Sequence, residues 1–396
     1  MNPYFCYIIS FGVVLLTYQL QWSSVYPKLT SSLQLFLCVT FLFAGAAGIF
    51  WKKQSSGWNI KAPSIDHNIG RVTLFIYALW LLDFIYEGGV PLFKILFNQP
   101  YNYRLFGFPS VHVFTVTFSS FYTLYLFHLF LVHRRKDLLF FYLVNLLAAI
   151  LIYSRAMFIL NLAGSFFIFL FYLKRLPVRL LVLSPVIILC LFYLFGFFGT
   201  LRVSRETSGP YNSELFLETG QATKEFTQSF IPKEFFWSYI YITSPLANFQ
   251  QNINLNPTDT LTFTKGAQLV TNEFLFDFIS KRTNKLFGFT PHVEGRIPGP
   301  FNVSTIYSRS FWFLRWYGVM AMACVVLLLP LGYVRMNFSE SPFFITGMAI
   351  LCTMYLFMFY DNTIRFTGLG FQLVYPVLFS WLARKNIFNL RRTPEP

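Results

Sequence analysis

Between residues 138 and 173 the chain runs for 36 residues with a single charge, Arg155, set in the turn-like Tyr153-Ser154-Arg155. One continuous helix at ~1.5 Å per residue would be about 54 Å long, far more than a ~30 Å hydrocarbon core, so this stretch must fold back as a hairpin of two spans. Apolar blocks of about 16 to 24 residues recur along the rest of the chain, in neither alternating nor heptad pattern. Ten spans are expected, over residues 4–20, 33–51, 72–86, 111–132, 138–153, 157–173, 178–200, 311–334, 343–360 and 366–382. With 55% hydrophobic residues, 12% charged residues and a mean hydropathy of +0.53, the chain fits no soluble class. The expected fold is therefore an all-α polytopic membrane protein. The N-terminus lacks a basic n-region, so the first block is expected to be a retained span rather than a removed signal.

The net charge of +15 raises nucleic acid as a partner, but the basic runs sit at the ends of the apolar blocks, where they read as topology signals. No nucleic-acid partner is expected. Fifteen Lys and Arg fall in the connections of one side, among them Lys52, Lys53, Arg134, Arg135, Arg335 and Arg384. Five fall in the short connections of the other: Lys28, Lys94, Arg104, Arg155 and Arg365. That bias places both termini in the cytoplasm and residues 201–310 outside. The expected organisation is seven spans within 1–200, an extracytoplasmic loop domain over 201–310, and three spans with a cytoplasmic tail over 311–396. Within the loop domain, Phe235 to Tyr241 is rich in interfacial aromatics, and residues 266–286 are expected to form one surface helix ending in Lys281, Arg282 and Lys285.

The five cysteines form no C-x-x-C, and the histidines are not clustered, so neither a disulfide framework nor a metal site is expected. Walker, G-x-G-x-x-G, H-E-x-x-H and D-x-D patterns are absent. Asn302-Val303-Ser304 fits the glycosylation sequon, a match that chance alone supplies in a chain of this length.

An ionisable group at membrane depth is costly and is a functional candidate by default. Arg155 is the clearest, either holding phosphate through paired hydrogen bonds or snorkelling at the interface. Arg202, Arg205, Arg296, Arg309, Arg315 and Arg365 gather on the same expected outer side, where the charge bias disfavours cations. An anionic ligand such as a diphosphate would account for them, as would salt bridges or lipid headgroups. For proton transfer, His292, Glu294 and Arg296 alternate in a way that would point one way on an extended strand, setting a base beside a cation. His112 also lies toward the outer side, whereas His128 and His133 fall toward the cytoplasm. Asp361 is a base or, more simply, the partner of Arg365. Asp83 and Glu87 read as a solvated helix end rather than a working carboxylate pair.

Taken with this architecture, Gly299-Pro300-Phe301-Asn302-Val303-Ser304-Thr305-Ile306-Tyr307, leading into an aromatic span with Tyr317-Gly318, resembles the Wzy-type O-antigen and oligosaccharide repeat-unit polymerases. Ser154-Arg155 is similar to the family's Ser-Arg-Gly-like element between two spans, with Ala156 where glycine is common. Phe198-Gly199-Thr200-Leu201-Arg202 is similar to its span end followed by arginine. The resemblance implies a metal-independent, inverting glycosyltransferase of the GT-C type in the bacterial inner membrane. It would join undecaprenyl-diphosphate-linked glycans on the periplasmic side and release undecaprenyl diphosphate. Arg155, Arg202, Arg205, Arg296 and Arg365 would hold the diphosphate, His292 or Glu294 would serve as base, and a flippase and a chain-length regulator (polysaccharide co-polymerase) would be partners. The alternatives are an O-antigen ligase using the same donor, or a lipid-linked glycan flippase or other transporter, which predicts charges along a mid-membrane path and two comparable halves.

Overall fold

The computed structural model describes residues 1–65, 68–97, 99, 101, 106–173, 177–206, 212–255, 261–289 and 295–384, and for 179–181, 202–203, 205–206 and 215 the backbone alone. The elements are helices: α1 (Pro3–Tyr18), α2 (Ser31–Ser55), α3 (Ile69–Tyr86), α4 (Pro91–Leu96), α5 (Val111–His133), α6 (Lys136–Leu151), α7 (Arg155–Tyr172), α8 (Val178–Glu206), α9 (Glu214–Thr219), α10 (Lys224–Thr227), α11 (Phe235–Leu255), α12 (Phe263–Leu269), α13 (Asp277–Phe287), α14 (Ser308–Met336), α15 (Phe344–Phe357), α16 (Thr367–Gly370) and α17 (Val374–Arg384). A π-helical turn, Val270–Phe274, follows α12, and a 3₁₀ turn, Phe371–Leu373, joins α16 to α17. No strand is present among the described residues.

Each expected apolar stretch is helical, but among the described residues only six helices are long and apolar enough to cross a membrane: α2, α3, α5, α7, α8 and α14. Six of the ten expected spans thus meet the length and composition of a crossing. At 16 and 14 residues, α1 and α15 fall short of the ~20 that a crossing needs. For α15 the reason is its place in the fold. Phe344 to Tyr355 are all buried, because α1, α5, α7 and α17 surround this helix. It fills the centre of the bundle. The expected hairpin turn is present at α6–α7, where Tyr153 takes a left-handed φ of 56° and the Ser154 hydroxyl accepts the Met157 N–H at 3.3 Å, capping α7.

The 201–310 segment differs most from expectation. Its longest helix, α11, carries no charge, and fourteen of its 21 residues are buried against α1, α8 and α14. α8 runs six residues past its expected end and packs along α11 at very short range. A Cβ at Gly196 would stand 1.9 Å from the Glu234 carbonyl oxygen, so only glycine permits this approach. Beside it Trp237 stacks on Phe216 at 3.6 Å and donates to the Thr200 hydroxyl at 2.9 Å. The expected single helix over 266–286 is two helices, α12 and α13, separated by the π turn and by extended backbone at Leu275.

α14 is likewise broken. Leu314 and Arg315 leave helical geometry, with Arg315 at φ 52°, ψ −139°, and a Cβ on Gly318 would meet the Ser310 carbonyl at 2.1 Å. A non-glycine residue held in this region is strained and must be imposed by its surroundings. Below the break, Tyr307 donates to the Tyr7 hydroxyl at 2.9 Å, Tyr7 donates to Thr40 at 3.0 Å, and Phe11, Phe36 and Phe249 pack around them. The residues that lead into α14 are thus sunk between α1, α2 and α11.

Gly196→Val should separate α8 from α11, at a cost of about 1–3 kcal/mol for overpacking against backbone. A melting temperature in detergent lower by several degrees, with helical content unchanged, is the expected result; circular dichroism melts provide the check.

Candidate functional site

The segment 295–307 enters the bundle as extended chain because one side chain holds it there. Asn248, buried on α11, donates to the carbonyls of Phe301 at 2.9 Å and Val303 at 2.7 Å and accepts the Ile297 N–H at 2.9 Å. Such backbone groups would be costly if left unpaired once buried. Further on, the Ile306 N–H binds the Met358 carbonyl at 3.0 Å, tying the segment to the end of α15. Opposite it lies the π turn. A π turn adds a residue to the helical repeat and is often found at functional sites; here it carries Glu273, whose side chain is fully buried.

Glu273 meets two groups from the 361–365 loop. The Asn362 amide donates to its Oε2 at 3.0 Å and to its backbone carbonyl at 2.9 Å. Arg365 Nη1 lies 3.8 Å from Oε1, and Arg365 Nε is 2.5 Å from Asp277 Oδ1. Asp277 also donates its N–H to the Arg365 carbonyl at 3.0 Å, so side chain and backbone lock the same two positions together. Burial pushes the Asp277 carboxyl above its ordinary range, with Arg309 and Lys281 pulling it back. Asp361, expected as the partner of Arg365, instead accepts the Asn362 N–H at 2.7 Å. The sequence places Asp361 four residues away, but the loop turns Arg365 toward the π turn and α13.

Between these groups is a polar pocket of about 30 Å³, lined by Glu273, Asn302 to Thr305, Arg309, Asp361 and Asn362. The Ser304 and Thr305 hydroxyls are buried in its wall, and neither has a hydrogen-bond partner among the described residues. This volume admits a water or one hydroxyl group and nothing larger. Hydroxyls and a carboxylate around such a space form a receptor for a hydrogen-bonding group that brings its own proton.

The other expected site residues are distributed differently. His292 and Glu294 lie outside the described residues. Arg202 and Arg205 fall in the last turns of α8, with the backbone alone described. Arg155 begins α7 and is exposed, its guanidinium 5.9 Å from the Tyr153 ring centroid. Arg296 is exposed beside buried Ile297. Neither Arg155 nor Arg296 makes an ion pair with a described residue, whereas Arg365, expected to hold diphosphate, already faces two carboxylates.

A second constellation lies between α3 and α5. Asp83 is fully buried, accepting the Phe108 N–H at 2.9 Å on Oδ1, with His112 Nδ1 2.8 Å from Oδ2. Glu87 accepts the Gly107 N–H at 2.9 Å. The expected solvated helix end is corrected: both carboxylates clamp residues 106–112, which fold back over the end of α3. His128 and His133 are structural, the former between Thr346 and the Tyr172 hydroxyl and the latter on the Pro63 carbonyl.

Compared with protein-family models, curated proteins and solved structures, the chain matches none. The geometry above therefore carries the functional argument.

Arg365→Ala should remove a cation from buried Glu273 and the ion-pair partner of Asp277, and destabilise this end of the protein by about 3 kcal/mol. Arg365→Lys should recover only part, since one ammonium cannot span both carboxylates. Hydrogen exchange at 270–277 and 361–366, faster in Ala than in Lys and in Lys than in wild type, checks the order.

Proposed function

We propose that the protein polymerises undecaprenyl-diphosphate-linked oligosaccharide repeat units, as a GT-C-type glycosyltransferase working at the end of the bundle covered by residues 201–310. In this reading the bundle lies in a bacterial cytoplasmic membrane with its basic end toward the cytoplasm and the Glu273 pocket on the periplasmic side. The observation that carries it is the pocket itself: a buried carboxylate and two unpartnered hydroxyls around a space that fits one sugar hydroxyl.

The chemistry follows from those groups. The acceptor hydroxyl enters the pocket, hydrogen-bonded by Ser304 and Thr305, and gives its proton to Glu273 as its oxygen attacks the anomeric carbon of the donor glycan. The bond from that carbon to the diphosphate oxygen breaks, and the electron pair leaves with undecaprenyl diphosphate. Glu273 takes the part that the sequence assigns to His292 or Glu294. The developing diphosphate charge calls for cations not already neutralised, and among the described residues Arg155 and Arg296 supply them. Arg365 holds Glu273 and Asp277 in position instead of meeting the diphosphate.

A transporter is the second reading, favoured by the break in α14, since discontinuous helices build substrate sites in many carriers. The two readings separate in one assay. Purified protein with lipid-diphosphate-linked repeat units and no nucleotide sugar should produce a ladder spaced by one repeat on a gel. A single addition to a lipid A-core acceptor without a ladder identifies a ligase, and translocation in liposomes without either product identifies a carrier.

In that assay Glu273→Gln should lower the rate of chain growth at least about hundredfold, the usual worth of a general base. Arg155→Ala should abolish long products while the protein remains in the membrane; wild-type lengths would exclude Arg155 from the donor site. Activity should persist in EDTA, and a loss restored by magnesium would overturn a metal-independent reaction.

A further inference from the structure

At the far end of α2 from the 201–310 segment lies an open cleft of about 600 Å³, bounded by the end of α2, the α14–α15 connection and the end of α17. Its charged lining is Lys61, Arg335 and Arg384 against a single acid, Glu340, and its apolar floor includes Val334 and Phe338. None of the three cations has an acidic partner among the described residues, so the positive charge of the cleft is not cancelled by them. Arg384 is nevertheless placed: its guanidinium carbon stands 4.5 Å over the Phe338 ring, a cation–π contact that holds the head group at the rim. On α14 and α17, which carry Arg335 and Arg384, the side chains of Met336, Leu378 and Trp381 are exposed.

Cations alone at a helix end would be ordinary topology signals. A basic cleft of this size with apolar residues in its lining, on helices that also expose apolar side chains, suits a molecule that is anionic at one end and hydrocarbon at the other. We propose that this cleft binds the phosphate ester of an anionic phospholipid, with Lys61, Arg335 and Arg384 around the phosphate and the acyl chains along α14 and α17. The site is independent of the reading of the Glu273 pocket.

The test uses the full-length protein in non-ionic detergent, titrated with phosphatidylglycerol, phosphatidylcholine or glycerol 3-phosphate and read by native mass spectrometry and thermal shift. Phosphatidylglycerol should bind and raise the melting temperature, and phosphatidylcholine should not. In the Lys61→Gln/Arg335→Gln/Arg384→Gln variant phosphatidylglycerol binding should weaken about tenfold or more. A control lacking the same number of charges elsewhere at the basic end, Lys52→Gln/Lys53→Gln/Arg134→Gln, should stay within about twofold of wild type, as expected if the cleft and not general surface charge binds the lipid. Equal losses in the two variants, unchanged binding in the cleft variant, or equal binding of phosphatidylcholine would overturn the proposal. Glycerol 3-phosphate protecting as well as the lipid would support a phosphate-ester site and remove the lipid as its source. Should the triple variant fail to fold, Arg384→Gln alone, at an exposed position, reads the same loss in smaller measure.

Discussion

Arg365 brings one positive charge to two carboxylates that belong to a distant part of the chain, in a place where Glu273 has no contact with solvent. An isolated carboxylate there would cost several kcal/mol. The Asn362 amide and the Arg365 guanidinium offset that cost, and the geometry they demand fixes where the long segment sits. The Asp277 N–H on the Arg365 carbonyl sets the start of α13, and Arg282 at the next turn reaches the Ser110 hydroxyl at 2.7 Å at the head of α5. One buried charge arrangement thereby holds the 270–289 region across α5 and the 361–366 loop, and it forms one wall of the pocket.

The opposite wall depends on a neutral group. Asn248 satisfies three backbone groups of 297–303 from a position that only exists because α11 is inside the bundle, and α11 is there because α8 has glycine at 196. The pocket is therefore the meeting place of two buried polar networks, one charged and one amide, each mounted on packed helices. Rigid support of this kind is what a site needs to hold hydroxyl-scale geometry.

Long charge-free apolar runs made the helical bundle legible, and Ser154 made the α6–α7 turn legible, because both effects are local. α11 was harder to read: Thr243, Ser244, Asn248, Gln250 and Asn252 dilute its hydropathy, although all five are buried, and the informative signal was 21 residues without a charge. Glu273 was illegible for a different reason. It lies in a stretch that alternates polar and apolar residues like a surface helix, and only the π turn and the distant loop 361–365 turn it inward. Asp83 misled in the same way, as its partners Phe108 and His112 come from the next helix entrance. Of the cations, Arg365 was singled out by its place at a span mouth, and sequence position could not reveal that Asp277 and Glu273 already claim it.

That last point divides the labour of the site. The groups lining or fixing the pocket carry three carboxylates, Glu273, Asp277 and Asp361, beside two cations, Arg309 and Arg365. A diphosphate would meet a net negative surrounding there, and a space of about 30 Å³ could not hold it in any case. A neutral hydroxyl meets neither obstacle, and a carboxylate held by a cation and an amide is anchored in orientation while it waits for a proton. In the proposed reaction the donor charge would then be handled outside the pocket, by exposed cations such as Arg155 and Arg296, which make no ion pair with a described residue. Separating the proton acceptor from the phosphate binders also keeps the base from being held permanently by the cations that the leaving group needs. In the proposed reaction the small size of the pocket would select the acceptor hydroxyl and leave the donor glycan outside it.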